Sequence, residues 1–285
     1  MHEGAGRARG AEIVEVQANG MTFRCRASGM GNGGEPVLLL HGFPESSAMW
    51  GPAMELLASR GYRCFAPDQR GYSPKARPKD KLDYRLDLVA SDVVALADAV
   101  GFGKFHLVGH DWGAACGWTV VQLYPERIQS WTALSLPHMA AFRRAVRTAP
   151  EQKRKSWYIG FFQLPVLPEL ALGRGALEKL WKSASEEELA DYRALFKSYG
   201  ARKAVLNWYR AVGKVRVAFG DVQVPTLLIW GNRDIAIARA GVEDTRRYMK
   251  GDYTFVELDA GHWLPRESFD RVTGEILGHL GRHPV

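Results

Sequence analysis

Gly109-His110-Asp111-Trp112-Gly113 stands between an apolar run, Lys104-Phe105-His106-Leu107-Val108, and a small-residue segment beginning Ala114-Ala115-Cys116. The order is strand, sharp turn, helix. In a Gly-x-nucleophile-x-Gly turn of this kind the central residue is pushed above the sheet in a strained backbone conformation, and a Cβ on either flanking residue would clash. The central residue here is Asp111, where serine is the commoner nucleophile. An ionised carboxylate attacks carbon directly and leaves an ester, which water must then break.

On the N-terminal side, Pro36-Val37-Leu38-Leu39-Leu40 is a continuous apolar run, the pattern of a strand covered on both faces. It ends in His41-Gly42-Phe43-Pro44, and Ser46 is placed to cap a helix to about residue 59. Residues 63–67 predict a further strand, 83–100 a helix stopped by Gly101, and 128–136 a strand after the elbow helix ends near Pro125. Ahead of all these, Asn19-Gly20 separates two weakly alternating runs and predicts a hairpin. Strands alternating with helices from residue 36 predict an α/β fold, a mostly parallel central sheet with helices on both faces.

From residue 138 to 212 the alternation stops, leaving helical patches rich in aromatics. In one of them Ser185 and Glu188 form a capping box, followed by Leu189, Tyr192, Phe196 and Tyr199 on one face and Gly200 as the expected stop. Strands return at 225–230 and 253–258, with helices expected over 239–249 and 265–280. The expected organisation is a disordered tail over residues 1–10, a core over 11–137 and 213–285, and a helical insertion over 138–212 after the sixth strand.

Composition narrows the function classes. Of 285 residues, 46% are hydrophobic and 24% charged, an ordinary globular balance. No apolar run approaches the ~20 residues of a membrane span, and no apolar stretch follows Arg7 and Arg9 to make a secretory signal. Cys25, Cys64 and Cys116 form neither an even set nor a CxxC pair, so a disulfide framework or zinc site is not expected and a reducing cytoplasm is. The net charge is +7, partly clustered in Arg143, Arg144, Arg147, Lys153, Arg154 and Lys155. With no nucleic-acid-binding motif beside it, this cluster reads as a solvated helix face.

Asp111, Asp234 and His262 each follow a strand directly, and the carboxyl ends of strands are where open α/β sheets bind ligands. Their chain order is nucleophile, acid, base. In His41-Gly42-Phe43-Pro44, the Gly109–Gly113 pentapeptide, Gly231-Asn232-Arg233-Asp234 and Gly261-His262-Trp263, the chain resembles the α/β-hydrolase superfamily, and within it the soluble epoxide hydrolases. The resemblance spans residues 12–283. Inside the insertion, Trp157–Pro165 and Asn207-Trp208-Tyr209-Arg210 resemble the cap segments that carry that family's paired tyrosines.

The resemblance implies an α/β-hydrolase fold with a helical cap. It also implies opening of an epoxide to a diol through an Asp111 ester, hydrolysed by water that His262 and Asp234 activate, with Tyr158 and Tyr209 binding and protonating the ring oxygen. The backbone N–H groups of Phe43 and Trp112 would form the oxyanion hole, and the side chains of Trp112, Phe43 and Phe162 would meet the substrate. Arg70 and His110 read as structural. No metal or organic cofactor is implied, and the partners are a small apolar epoxide and water, with neither nucleic acid nor membrane. The oligomeric state is left open, a homodimer included. Two rival readings are a haloalkane dehalogenase, which shares the Asp-His-Asp set but pairs it with N–H donors for a departing halide, and a non-catalytic ligand-binding protein on the same fold.

Overall fold

A computed structural model describes residues 11–181, 184–214 and 217–285; the tail expected over residues 1–10 lies outside them. The first strands are β1 (Glu12–Ala18), β2 (Met21–Ser28), β3 (Pro36–Leu40), β4 (Arg63–Pro67), β5 (Phe105–His110) and β6 (Ile128–Leu134). Two more, β7 (Thr226–Gly231) and β8 (Tyr253–Leu258), follow the insertion. They form one sheet in the order β1-β2-β4-β3-β5-β6-β7-β8, antiparallel at the β1/β2 and β2/β4 pairings and parallel elsewhere. Asn19 and Gly20 both take positive φ, 48° and 73°, the twist a two-residue hairpin needs.

Helices cover both faces, and β3 explains how. Val37 and Leu39 point into a core built with Met54 and Leu57 of α1 (Gly51–Ser59). Leu38 and Leu40 point the other way, into the core shared with α2 (Leu86–Ala99) and α3 (Trp112–Leu123). All five β3 residues are buried, so period-two alternation serves two apolar layers at once. Each such side chain contributes about 1.5–3 kcal/mol by leaving water.

The chain steps from β3 outward to β4 and then returns across β3 to β5, where the order of strands reverses. The loops leaving β3 and β5 therefore diverge over a cleft at the carboxyl ends of the two strands. The His41–Pro44 loop and Asp111 both sit there.

Between β6 and β7 no strand falls among the described residues. Six helices do: α4 (Met139–Thr148), α5 (Pro150–Lys155), α6 (Trp157–Phe161), α7 (Leu167–Gly173), α8 (Glu186–Phe196) and α9 (Tyr199–Arg210). The Ser185–Glu188 capping box is formed, but α8 stops at Phe196 instead of running on to Gly200. Ser198 takes an extended backbone and its hydroxyl accepts from the Ala201 N–H, which starts α9 with Tyr199 and Gly200 inside it. Beyond β7 come α10 (Arg239–Asp244), α11 (Leu264–Glu267) and α12 (Phe269–Arg282), so the expected C-terminal helix is broken at Ser268. No helix among the described residues is long and apolar enough to cross a membrane.

α3 lies close against the sheet because its first turns are small. A Cβ on Gly113 would stand 2.2 Å from the Leu40 carbonyl oxygen, and one on Gly117 would stand 2.1 Å from the Trp131 ring. Gly117→Ala is therefore a test of sign. Helix propensity alone would favour alanine by about 1 kcal/mol, whereas overpacking a filled core costs about 1–3 kcal/mol. Trp131 is fully buried and held edge-on by Trp118, so the steric cost should win. Urea unfolding should show a net loss of stability.

Candidate active site

The turn after β5 holds its aspartate under strain. Asp111 has φ 51° and ψ −116°, a conformation side chains disfavour. Gly42 makes room for it, since a Cβ there would lie 2.5 Å from the Asp111 Cβ and 2.9 Å from its Oδ1. The Phe43 N–H donates to Asp111 Oδ1 at 2.9 Å, so one expected oxyanion donor already faces the carboxylate. The Trp112 N–H is the first of α3 and finds no acceptor among the described residues.

Asp234, in the turn after β7, and His262, beyond β8, come together here across 28 residues of sequence. His262 Nδ1 lies 2.8 Å from Asp234 Oδ2, and His262 Nε2 lies 3.4 Å from Asp111 Oδ2. The second oxygen of Asp234 accepts from the N–H groups of Ala236 and Ile237 at 2.7 and 2.9 Å, which fixes the carboxylate's orientation. His262 is held by its backbone as well. Its carbonyl oxygen accepts from His110 Nε2 at 2.9 Å and from the Ser135 hydroxyl at 2.8 Å. His110, expected to be structural, thus helps hold His262 in position. Arg70 is structural as expected, bound through two nitrogens to Asp92.

Electrostatics follow from this geometry. Burial by itself would lower the His262 pKa, but Asp234 on one side and Asp111 on the other outweigh burial and push it up to about 10. Burial would raise the Asp111 carboxyl; the hydrogen bond and charge of His262 outweigh that and hold it below its ordinary value. His110, buried and next to a charged imidazole, is pushed down to about 4 and stays neutral. The resting arrangement is an imidazolium between two carboxylates, with Asp111 held ionised.

Asp111 opens into an apolar cavity of about 270 Å³. Tyr158 of α6 and Tyr209 of α9 line it together with Trp112, and the two phenol rings are 6.0 Å apart. Burial first, then the Asp111 charge among its neighbours, raises both phenols above their ordinary pKa, so both remain hydrogen-bond donors at neutral pH. Phe43 and Phe162 do not line the cavity. They pack edge-on behind Tyr209, at 5.3 and 4.7 Å between ring centres, and fix that ring in place. No group of three His, Cys, Asp or Glu among the described residues is arranged to hold a metal ion.

Residues that sequence reasoning missed lie on α5. The Gln152 side chain, fully buried, donates to the Ala236 carbonyl and accepts from the Ala238 N–H, both at 2.8 Å. The Lys155 ammonium donates to the carbonyls of Asp234 at 2.7 Å and Ile237 at 3.3 Å. The turn that carries the acid is therefore clasped by the insertion, three residues before Tyr158. Lys155 belongs to the run read as a solvated face; its ammonium, still partly exposed and paired with Glu151, is turned towards the carbonyls of the Asp234 turn. A run of basic residues carries no sign of which member turns inward.

Comparison with known proteins agrees with the architecture. Residues 35–268 match the family described as alpha/beta hydrolase fold. The AB hydrolase superfamily protein YfhM of Bacillus subtilis (strain 168) is 33% identical over 95% of this chain and 98% of its own length. Epoxide hydrolase 4 of Mus musculus is 32% identical over 94% of this chain and 78% of its own. A solved structure described as one of the novel epoxide hydrolases of the alpha/beta hydrolases superfamily in metagenomes from hot environments superposes with a TM-score of 0.84. It is 31% identical, covering 94% of this chain and 98% of that one.

Two outcomes test the site without reference to any substrate. Because the His262 pKa is raised on folding, the stability it contributes is fully present below its ordinary value of 6.5 and is lost as pH rises towards about 10. Urea midpoints should fall across that window. In Asp111→Asn the fall should still begin near 6.5 but end at lower pH and be smaller, since one of the two carboxylates that raise the folded pKa is gone. Gln152→Leu leaves the Ala236 carbonyl and the Ala238 N–H buried without partners, at a cost of about 1–3 kcal/mol each. Hydrogen exchange over residues 234–240 should quicken in that variant while the strands of the sheet keep their protection.

Proposed function

Because the chain belongs to the α/β-hydrolase superfamily and, within it, to the epoxide hydrolase family, we propose that it opens an epoxide to a vicinal diol at Asp111. The observation that carries this reading is the pair of neutral phenols, Tyr158 and Tyr209, lining the same cavity as an ionised aspartate. An epoxide opens badly in water because its leaving group is an alkoxide. Two phenols directed at one oxygen hold it by hydrogen bonds, and one gives up its proton as the C–O bond breaks. Asp111 Oδ2 forms the new bond to carbon, and the product is an alkyl ester of the enzyme.

Electrostatics then turn the site over. Esterification removes the Asp111 charge, and with it one of the two carboxylates that hold the proton on His262. The phenolate left behind is a strong base. A proton passes from the imidazolium to restore the phenol, which leaves His262 neutral and oriented by Asp234. The imidazole deprotonates a water, the hydroxide adds to the Asp111 carbonyl carbon, and the oxyanion is received by the N–H groups of Phe43 and Trp112. Collapse of the tetrahedral adduct releases the diol and regenerates the carboxylate. The helices over residues 139–210 act as a lid in this scheme, supplying both phenols and, through Gln152 and Lys155, holding the acid. The only reactants are the epoxide and water.

Incubation with a styrene-oxide-type epoxide should yield the diol, and a bromoalkane should release no halide. Halide release without diol would move the chemistry to a dehalogenase. His262→Gln should react once and stall, with the substrate mass added to Asp111 in the intact-protein spectrum, because only the second step needs the base. Tyr158→Phe combined with Tyr209→Phe should lower ring opening by roughly 10²–10⁴-fold, the range of general-acid contributions, with the circular dichroism unchanged.

A further inference from the structure

Two ionised side chains line the cavity, and the scheme above uses one of them. The other is Arg143. It lies on α4, on the face it shares with Met139 and Phe142, which line the cavity beside it. Its guanidinium sits 4.9 Å from the centre of the Phe219 ring and is half-buried. No carboxylate or carbonyl of a described residue pairs with it. Asp244, an acid beside α4, is taken by Arg144 and Arg247 instead.

Burial works against the charge on Arg143, and so does the neighbouring Arg147. A half-buried cation with no counterion among the described residues is placed where a ligand would meet it. It also stands at the open end. Val212 and Gly213, which line the cavity with it, are exposed, while Tyr209, Trp208 and Leu136 on the inner wall are buried. An elongated molecule with its epoxide among Asp111, Tyr158 and Tyr209 would run along an apolar wall and end near a guanidinium.

We propose that Arg143 is an anion-recognition residue and that the cavity takes an apolar epoxide bearing a carboxylate. The epoxide half of this statement rests on the function proposed above; the carboxylate half does not. A guanidinium presents a planar fork that matches a carboxylate through two parallel N–H···O bonds. Because that contact is remote from the reacting carbon and equal in ground and transition states, it acts on binding and KM and leaves kcat unchanged.

The first measurement needs no turnover. Octanoate and octanamide, which share a chain and differ in charge, are titrated calorimetrically into the protein. The carboxylate should bind about tenfold more tightly, the value of one charge-assisted contact. Arg143→Met should abolish the difference, Arg143→Lys should keep part of it, since the charge remains without the fork, and Arg147→Met should keep all of it. Equal binding of the two probes, or a preference that survives Arg143→Met, overturns the assignment.

The second measurement compares the terminal epoxide of octanoate with that of octanamide. Arg143→Met should raise KM about tenfold for the acid alone, with kcat unchanged for both. An intact preference for octanoate with no diol from either epoxide would remove the epoxide reading and leave the anion site standing. Diol from both with equal KM in the wild-type protein would do the reverse.

Discussion

The structure turns on a crowded point, where the first turn of α3 meets the end of β3. Gly113 lies against the Leu40 and His41 carbonyls, Gly42 lies against Asp111, and Gly109 lies against the Gly113 carbonyl, each at a distance that excludes a Cβ. Only this closeness lets Asp111 stand proud of the sheet with φ at 51° while its carboxylate meets the Phe43 N–H. The strain, of order 1–3 kcal/mol for such a residue, is held in place by the two apolar cores that fix β3, β5 and α3 on both sides. Widening the gap would relax the aspartate into ordinary geometry and take its oxygen away from the cleft.

From that position follows the charge order of the site. His262 lies between two carboxylates whose partners differ. Asp234 is bound by the backbone N–H groups of Ala236 and Ile237, whereas Asp111 has one oxygen on the Phe43 N–H and, in the proposed reaction, would lose its charge on alkylation. In the proposed reaction one histidine would hold its proton tightly before the first step and release it before the second. In that proposal the switch comes from the change of charge that bond formation brings.

The insertion takes part in both halves of this arrangement. α5 clasps the Asp234 turn, α6 and α9 carry the phenols, and α4 brings to the cavity wall a guanidinium with no counterion among the described residues. At the other end of the insertion α8 is fastened to the core by acids. Asp191 meets Arg24 and the Ser46 hydroxyl, and Glu188 stands beside the Arg266–Glu45 ion pair. A segment pinned at both ends places its tyrosines with little freedom, the condition under which hydrogen-bond donors are most effective in a transition state.

Much of this was legible in the chain. Continuous apolar runs, Gly-rich turns and a stop at Pro125 announce a buried parallel sheet, because local backbone preferences and hydrophobic periodicity depend on neighbours in sequence. Asp111 could be read from its own pentapeptide for the same reason, and the order Asp111, Asp234, His262 from the strands before each. The break at Ser198 was missed because a serine that caps and a serine inside a helix look alike until its hydroxyl has a particular N–H to accept. What the sequence could not yield is every relation that crosses the fold. Phe43 and Phe162 pack edge-on against Tyr209, Gln152 and Lys155 turn towards the Asp234 turn, and Arg143 lines an apolar cavity with no counterion among the described residues. Each depends on which side chains the tertiary structure brings within a few ångströms, and which it shields from water. Periodicity and motif decide which residues face inward; only packing decides what they meet there.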